Sequence, residues 1–582
     1  MADEKRDYHV SDIYQGGYSS FSPKYGDVFT GYRTAASGIS LATDPRTANV
    51  LQETAAKLAT GVKKIEISTT QPDIFESIPK QHFAEVRRLS KLTGIDVSMH
   101  APIVEASGIS RDGFSEENRE GVQRQMLDVV EKSHELNPNG NIPVTFHSSA
   151  MIPQPVLAKG KKTPSEVFVI NSETGSVNRI PLEESHLTDE KPDIKQELKR
   201  INERSWQNSI SHLSYNLERG SELAAHYGTI AQIAEIEKKG ERELSPEEKR
   251  ARATFNTATA FLNDSYRELK EIYETAYRNA PEERKTLDEL KKRIGEKIKQ
   301  VEKNPSETKA IQLRQEIIED GLETLNKISS PEIFKPLDDF AKGKTTETFA
   351  NVAFDSYKKF GDKSPIISIE NPPAGGAFST AEELRDVVEE ARKKFVEKAM
   401  KSGMSKSQAE KAAEKTIGVT WDVGHINMLR KYGYGKEDLI KQAEIVAPLV
   451  KHVHLSDNFG FEHTELPMGM GNVPIKEILE QLGKEGFEGA KVIEAGNWWQ
   501  HFKTPPVKET LEAFGSPIYS MEMAPYWNQA LGFEQSYYGG QGPTLPQVNY
   551  ETFGGGFSQL PTELGGQRPG AQGGRMSGKP ME

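Results

Sequence analysis

GVTWDVGH, residues 418–425, contains the reading that decides the fold. Gly418 to Asp422 is a short run of small, β-branched and aromatic residues, suited to a buried strand. It stops on a carboxylate, Asp422, and meets a histidine, His425, three positions later. Moving outward, the same pattern recurs. Toward the C-terminus come KHVHLS (451–456), carrying His452 and His454, and AKVIEA (490–495), carrying Glu494. Toward the N-terminus come PIISIE (365–370), which ends on Glu370, and IPVTF (142–146), followed by His147. Before them stand IDVSM (95–99), followed by His100, then KKIEIS (63–68) and GISLA (38–42). Stretches between the runs, such as TANVLQETAAKLA, FAEVRRLSKL and GVQRQMLDVVEKSHEL, repeat apolar residues at helical spacing. Eight strand–helix repeats predict an α/β fold, a closed (β/α)8 TIM barrel. No GxGxxG or Walker sequence follows any strand, which disfavours an open sheet with a phosphate loop.

The repeat is broken once, between strands four and five, by a stretch far longer than a βα connection. It opens on a hairpin pattern, VFVINSETGSVNRIPL, and continues as charged helices. Phe255, Leu262, Leu269 and Ala276 recur every seven residues, as do Ile311, Ile318 and Leu325. Leu287, Leu290, Ile294, Ile298 and Val301 follow a similar seam, so antiparallel helical hairpins are expected. The expected organisation is an irregular arm at 1–33, a discontinuous barrel at 34–150 and 346–515, and a helical insertion at 151–345. A Gly-rich, low-complexity tail at 516–582 is too poor in core residues to fold alone. The insertion leaves from a βα loop on the rim side. It reads either as a solvated bundle or as a clamp for a protein or substrate.

With 74 basic and 86 acidic residues, the net charge of −12 argues against a surface devoted to nucleic acid, although a local basic groove is compatible with it. There is no cysteine, so disulfides, thiolate zinc sites, iron–sulfur clusters and cysteine nucleophiles are excluded. Any metal must be held by imidazole and carboxylate. The N-terminus lacks an apolar signal core and no stretch is long enough to span a bilayer, so a cytoplasmic location is expected.

In a closed barrel the strand C-termini share one rim, where catalytic groups gather. His100, His147, Glu370, Asp422, His425, His454 and Glu494 stand at or just beyond strand ends, and His463 follows in the loop after strand seven. Carboxylates brought this close raise one another's pKa unless a cation neutralises them, so the cluster predicts bound divalent metal. His452 lies one layer deeper than His454 and reads as structural. Glu66 reads equally as a cavity residue or as the partner of a cation, and Lys451 as an exposed strand start. Asp457 and Asn458 read as substrate groups or as turn caps.

HAP at 100–102, FH at 146–147, IEN at 369–371, WDxGH at 421–425, HVHLSDN at 452–458 and LPMGMGN at 466–472 are, in order and spacing, similar to the xylose isomerase-like barrel superfamily. That group includes sugar isomerases and epimerases and the endonuclease IV (family 2 abasic endonuclease) branch. The resemblance spans about 34–150 and 346–515. The isomerase branch implies one metal on Glu370, Asp422, His454 and Glu494. The endonuclease branch implies up to three ions, zinc above all, with manganese or magnesium as alternatives. His100, His147 and Glu370 would hold the first, Glu370, Asp422, His454 and Glu494 the second, and His425, His463 and Glu465 the third. At the last two positions the endonuclease pattern has Asp then His, so the residue types stand here in reversed order. Ile39 replaces the His of its opening GxHxS, and Ile103 stands where it carries a Tyr used at DNA. Hydrolysis of a phosphodiester at an abasic DNA site is the first reading. Single-metal isomerisation or epimerisation of a small sugar, with Glu370 and Glu494 as acid and base, is the second. A non-catalytic scaffold using the insertion and tail is the third.

Overall fold

The β-rich runs become strands because each is covered by helices outside and by packed side chains within, which suits continuous Val- and Ile-rich sequence. The computed structural model describes residues 39–513, apart from 151, 162, 183–192, 227–243, 304–307, 488, 497, 499–501 and 503–504. The expected arm at 1–33 and tail at 516–582 lie outside the described residues. The barrel strands are β1 (Ile39–Ala42), β2 (Lys64–Ser68), β3 (Asp96–His100), β4 (Pro143–His147), β5 (Ile366–Glu370), β6 (Ile417–Asp422), β7 (Val450–Leu455) and β8 (Lys491–Ile493). Their order is β1-β8-β7-β6-β5-β4-β3-β2, closed, with every pairing parallel. This is the (β/α)8 barrel that the eight repeats predict.

Register then sets the rim. Glu370 lies level with His147, Asp422 with His454, and Ser68 with His100. One layer down, Glu66 lies level with Ser98. Capping boxes start helices around the barrel: Thr380 with Glu383 at Ala381–Lys401, and Ser405 with Gln408 at Lys406–Thr416. Phe146, Phe349, Phe395 and Trp421 are among the fully buried residues that fix helices against strands.

The long interruption follows β4. Glu166–Asn171 and Val177–Pro181 pair antiparallel, and Phe334–Pro336 adds a third strand from the far end of the interruption. Among the described residues, the α-helices Ile194–His226, Pro246–Asn279, Arg284–Lys303 and Thr308–Leu325 lie between these strands. The seven-residue stripe Phe255, Leu262, Leu269 and Ala276 is buried, and its last three members join Leu287, Leu290, Ile318 and Leu325 in a core separate from that of the barrel. The chain returns through Leu337–Phe360, which packs on the barrel helices Glu116–Leu136 and Ala381–Lys401. Among the described residues no helix is long and apolar enough to cross a membrane.

Candidate metal centre

The ends of β3 to β8 deliver the functional groups, and local structure aims them. Asp422 ends β6 and is also the N-cap of the short helix Val423–Asn427: its Oδ1 accepts the backbone N–H of His425 at 2.6 Å. The DxxH spacing is therefore a cap spacing, which leaves Oδ2 facing inward. Asn371, directly after Glu370, ties β5 to β6: its Oδ1 accepts the Asp422 N–H at 2.9 Å and its Nδ2 donates to the Asp422 carbonyl at 3.0 Å. The Asn371 carbonyl accepts from His425 Nδ1 at 2.7 Å, and the Ala101 carbonyl accepts from His100 Nδ1 at 2.9 Å. A carbonyl can only accept, so both Nδ1 atoms carry a proton and Nε2 is in each case the atom directed at the cluster.

The convergence is tight. The ligand atoms of His100, His147 and Glu370 all lie within 4.8 Å of one another, as do those of Glu370, Asp422, His454 and Glu494. Glu370 belongs to both groups and divides its oxygens between them. Oε2 sits 3.2 Å from His147 Nε2 and 3.4 Å from His100 Nε2, while Oε1 sits 2.7 Å from His454 Nδ1. Glu494 Oε1 approaches the same His454 nitrogen at 3.2 Å. His463 and Glu465 arrive from the loop after β7: His463 Nε2 is 2.9 Å from His425 Nε2 and 3.9 Å from Glu465 Oε1. Glu465 holds a left-handed backbone, φ 46°, unusual for a residue with a side chain.

Several residues differ from their sequence reading or were missed by it. Asp457 and Asn458 prove to be loop fasteners. Asp457 accepts the N–H groups of Asn458, Gly469 and Val473, and Asn458 donates to the Gly424 carbonyl. Lys451, expected to be exposed, is half-buried beside Gly418. Glu66 pairs with histidines: His452 Nε2 at 2.7 Å and His454 Nε2 at 3.1 Å. Asn371 had no sequence signal beyond its place in IEN. Thr43, Arg46 and Lys57, from the segment after β1, line the cavity and had none.

A cavity of about 230 Å³ lies over these groups, lined by His100, His147, His425, His463, Glu465 and Glu494 on the ligand side. Ile103 also lines it, whereas Ile39 is buried in the core. Charge in the cluster is mutually arranged. Burial opposes the charge on Glu370, but His454 and His147 outweigh it and hold the carboxyl well below the usual range. Burial, opposed by His454 and reinforced by Glu370, pushes Glu494 well above it. Burial opposes charge on His100 too, yet the Glu370 carboxylate beside it raises the imidazole to about 9. His147 falls to about 3 through burial, and His463 to about 4 through burial and its neighbour His425.

The residues present fit divalent metal. Glu370 Oε2 and Asp422 Oδ2 are buried beside the cluster and complete no hydrogen bond. Unpaired buried acceptors are costly, and a cation would satisfy them. The donor set is imidazole and carboxylate throughout, suited to zinc or manganese.

Comparison with known proteins agrees with the geometry. Residues 324–515, which include β5 to β8 and every candidate ligand except His100 and His147, match the family described as xylose isomerase-like TIM barrel. A 109-residue stretch is 29% identical to an uncharacterised protein of Methanocaldococcus jannaschii, covering 19% of this chain and 36% of that one, so the match spans about a third of the relative's length. Among solved structures the chain is similar to a D-tagatose 3-epimerase-like protein, with 14% identity, TM-score 0.36, and coverage of 82% of this chain and 96% of that one. It is also similar to the 3-keto-D-glucoside 4-epimerase of E. coli, with 11% identity, TM-score 0.35, and coverage of 83% and 98%. The chain thus folds as a closed parallel barrel of eight strands, and residues 324–515, its second half, are similar to the xylose isomerase-like TIM barrel family.

Proposed function

We propose that the chain is a divalent-metal-dependent phosphoesterase whose ions are bridged by Glu370, acting in the endonuclease IV manner on a phosphodiester at an abasic DNA site. The observation that carries this reading is the division of Glu370, with Oε2 toward His100 and His147 and Oε1 toward His454. A carboxylate shared in this way suits two adjacent dications. His100, His147 and Glu370 would hold one; Glu370, Asp422, His454 and Glu494 a second; His425, His463 and Glu465 a third. Zinc is the ion we expect. Bound ions would supply Lewis-acid activation of water and charge neutralisation at the phosphate. Glu494, whose side chain keeps 17% exposure where Glu370 has none, is the carboxyl placed to exchange a proton at the cavity. The insertion leaves the barrel just after His147, where a long substrate or a protein partner would meet it.

A second reading is favoured by the cavity itself. Its volume of about 230 Å³ suits one sugar ring, and among the described residues Arg46 and Lys57 are the arginine and lysine that line it, with Arg46 paired to Asp44. A DNA backbone calls for more cations than that. In this reading Glu370, Asp422, His454 and Glu494 would hold one ion, which would supply Lewis-acid polarisation of a small sugar, and Glu370 and Glu494 would move a proton between adjacent carbons.

Elemental analysis of protein stripped with chelator and reloaded with zinc or manganese separates the two. Two or three ions per chain support the bridged cluster and one supports the sugar enzyme. None would sink both. Cleavage of an oligonucleotide carrying one abasic analogue should fall on the order of a hundredfold to a thousandfold in Glu370→Ala. Fully loaded protein that leaves the oligonucleotide intact but exchanges aldose with ketose would replace the first reading with the second.

A further inference from the structure

His454 is held between carboxylates on both sides of its ring. Nδ1 lies 2.7 Å from Glu370 Oε1 and 3.2 Å from Glu494 Oε1, and Nε2 lies 3.1 Å from Glu66 Oε1. The ring, Glu66 and His452 are all fully buried, so no solvent proton resolves which nitrogen is protonated. A neutral imidazole has one N–H and one lone pair, and only the lone pair can bind a cation. Glu370 and Glu494 approach Nδ1, and these two group with Asp422 and His454 as candidate ligands, whereas Glu66, with His452 beside it, approaches Nε2.

Glu66 is itself fixed. Its Oε2 accepts from Ser98 Oγ at 2.8 Å and is bonded to His452 Nε2 at 2.7 Å. Its Oε1 and the Nε2 of His454 are buried, complete no hydrogen bond elsewhere, and lie within hydrogen-bond distance of each other. Each is the available complement of the other. Register explains the placement: Glu66 is level with Ser98 on the neighbouring strand, one layer beneath the rim, and β7 brings His452 into that layer and His454 above it.

We propose that Glu66 is the positioning carboxylate of the metal centre: it takes the Nε2–H of His454 and so commits Nδ1 to the cation held with Glu370, Asp422 and Glu494. This rests on the metal reading given above. Ser98 and His452 keep the Glu66 carboxylate in place, making a carboxylate–histidine–metal line that starts outside the ligand set. Partners of this kind typically change metal affinity by about ten- to a hundredfold.

The test uses the full-length chain, stripped and reloaded with zinc, with ion content by elemental analysis and affinity by chelator competition. Glu66→Ala should weaken one ion by about ten- to a hundredfold and leave the others at wild-type affinity, and Glu66→Gln, which retains an acceptor, should recover part of the loss. The unfolding midpoint of the metal-free protein is the control. If Glu66→Ala lowers that midpoint while the folded fraction binds every ion as wild type does, Glu66 is a packing residue and the proposal fails. Should Glu66→Ala not fold, Ser98→Ala removes one bond to Oε2, and a smaller loss at the same single ion is expected. Unchanged affinity in that variant would overturn the idea. Loss of a whole ion in His452→Gln would show that Glu66, His452 and His454 themselves hold metal, which also overturns it. Wild-type protein that takes up no ion defeats the metal reading and this inference together, whereas normal loading of wild type and variants alike defeats the inference alone.

Discussion

Protons and the proposed cations would compete for the same atoms in this site. His100 is raised to about 9 by the Glu370 carboxylate in spite of burial. His454 is raised well above its ordinary value despite burial by Glu494, Glu370 and Glu66, and burial itself raises Glu494. His100 therefore holds a proton at neutral pH that a bound ion would have to displace, and His454 and Glu494 hold theirs more tightly than usual. Apparent zinc affinity should therefore climb from pH 6 to pH 9, by roughly tenfold per pH unit for each proton displaced, and fall on acidification. Chelator competition across that range checks it, and affinity indifferent to pH would mean that these imidazoles and carboxylates are not the ligands. At this scale the residue types were legible in sequence, because a histidine or acid ending an apolar run has few bland explanations when the pattern recurs. Their tautomers were not. Which nitrogen of His100, His425 or His454 faces the cavity depends on a carbonyl or carboxylate brought up by another part of the chain.

At the scale of elements, the loop between β7 and the helix Ile475–Lys484 is the most engineered piece of the rim. Asp457 and Leu466 exchange backbone hydrogen bonds at 2.7 and 2.8 Å, closing the loop that carries His463 and Glu465. Gly471 lets this loop pack, since a Cβ there would collide with the Asn458 carbonyl and the Asp457 carboxylate. Gly471→Ala should destabilise the protein by about 1–3 kcal/mol. It should also remove the ion assigned to His425, His463 and Glu465 while sparing those on Glu370. Denaturant unfolding and ion content measure the two effects, and wild-type values for both would show that the loop accommodates a side chain there. Strands were readable to within a residue or two because β-rich composition and strand length coincide. The roles of Asp457 and Asn458 were not, since capping and substrate binding draw on the same side chains.

Among the described residues two hydrophobic cores stand apart, one in the barrel and one among the helices that interrupt it. Leu262 is fully buried in the second. Leu262→Ala should cost about 2–5 kcal/mol there and leave ion binding by the barrel unchanged. Unfolding followed by circular dichroism, with zinc affinity as the barrel's reporter, tests this; parallel loss of both would show that the cores fold as one.

Periodicity and strand-end chemistry, both local properties of the chain, were enough to determine a (β/α)8 barrel with an interrupting helical unit and a rim rich in imidazole and carboxylate. Only the tertiary structure decided that Glu370 divides its oxygens between two ligand groups and that Glu66 stands behind His454. Those facts arise from register between strands and from closure of the barrel. They bring together residues hundreds of positions apart, whose relation no local pattern encodes.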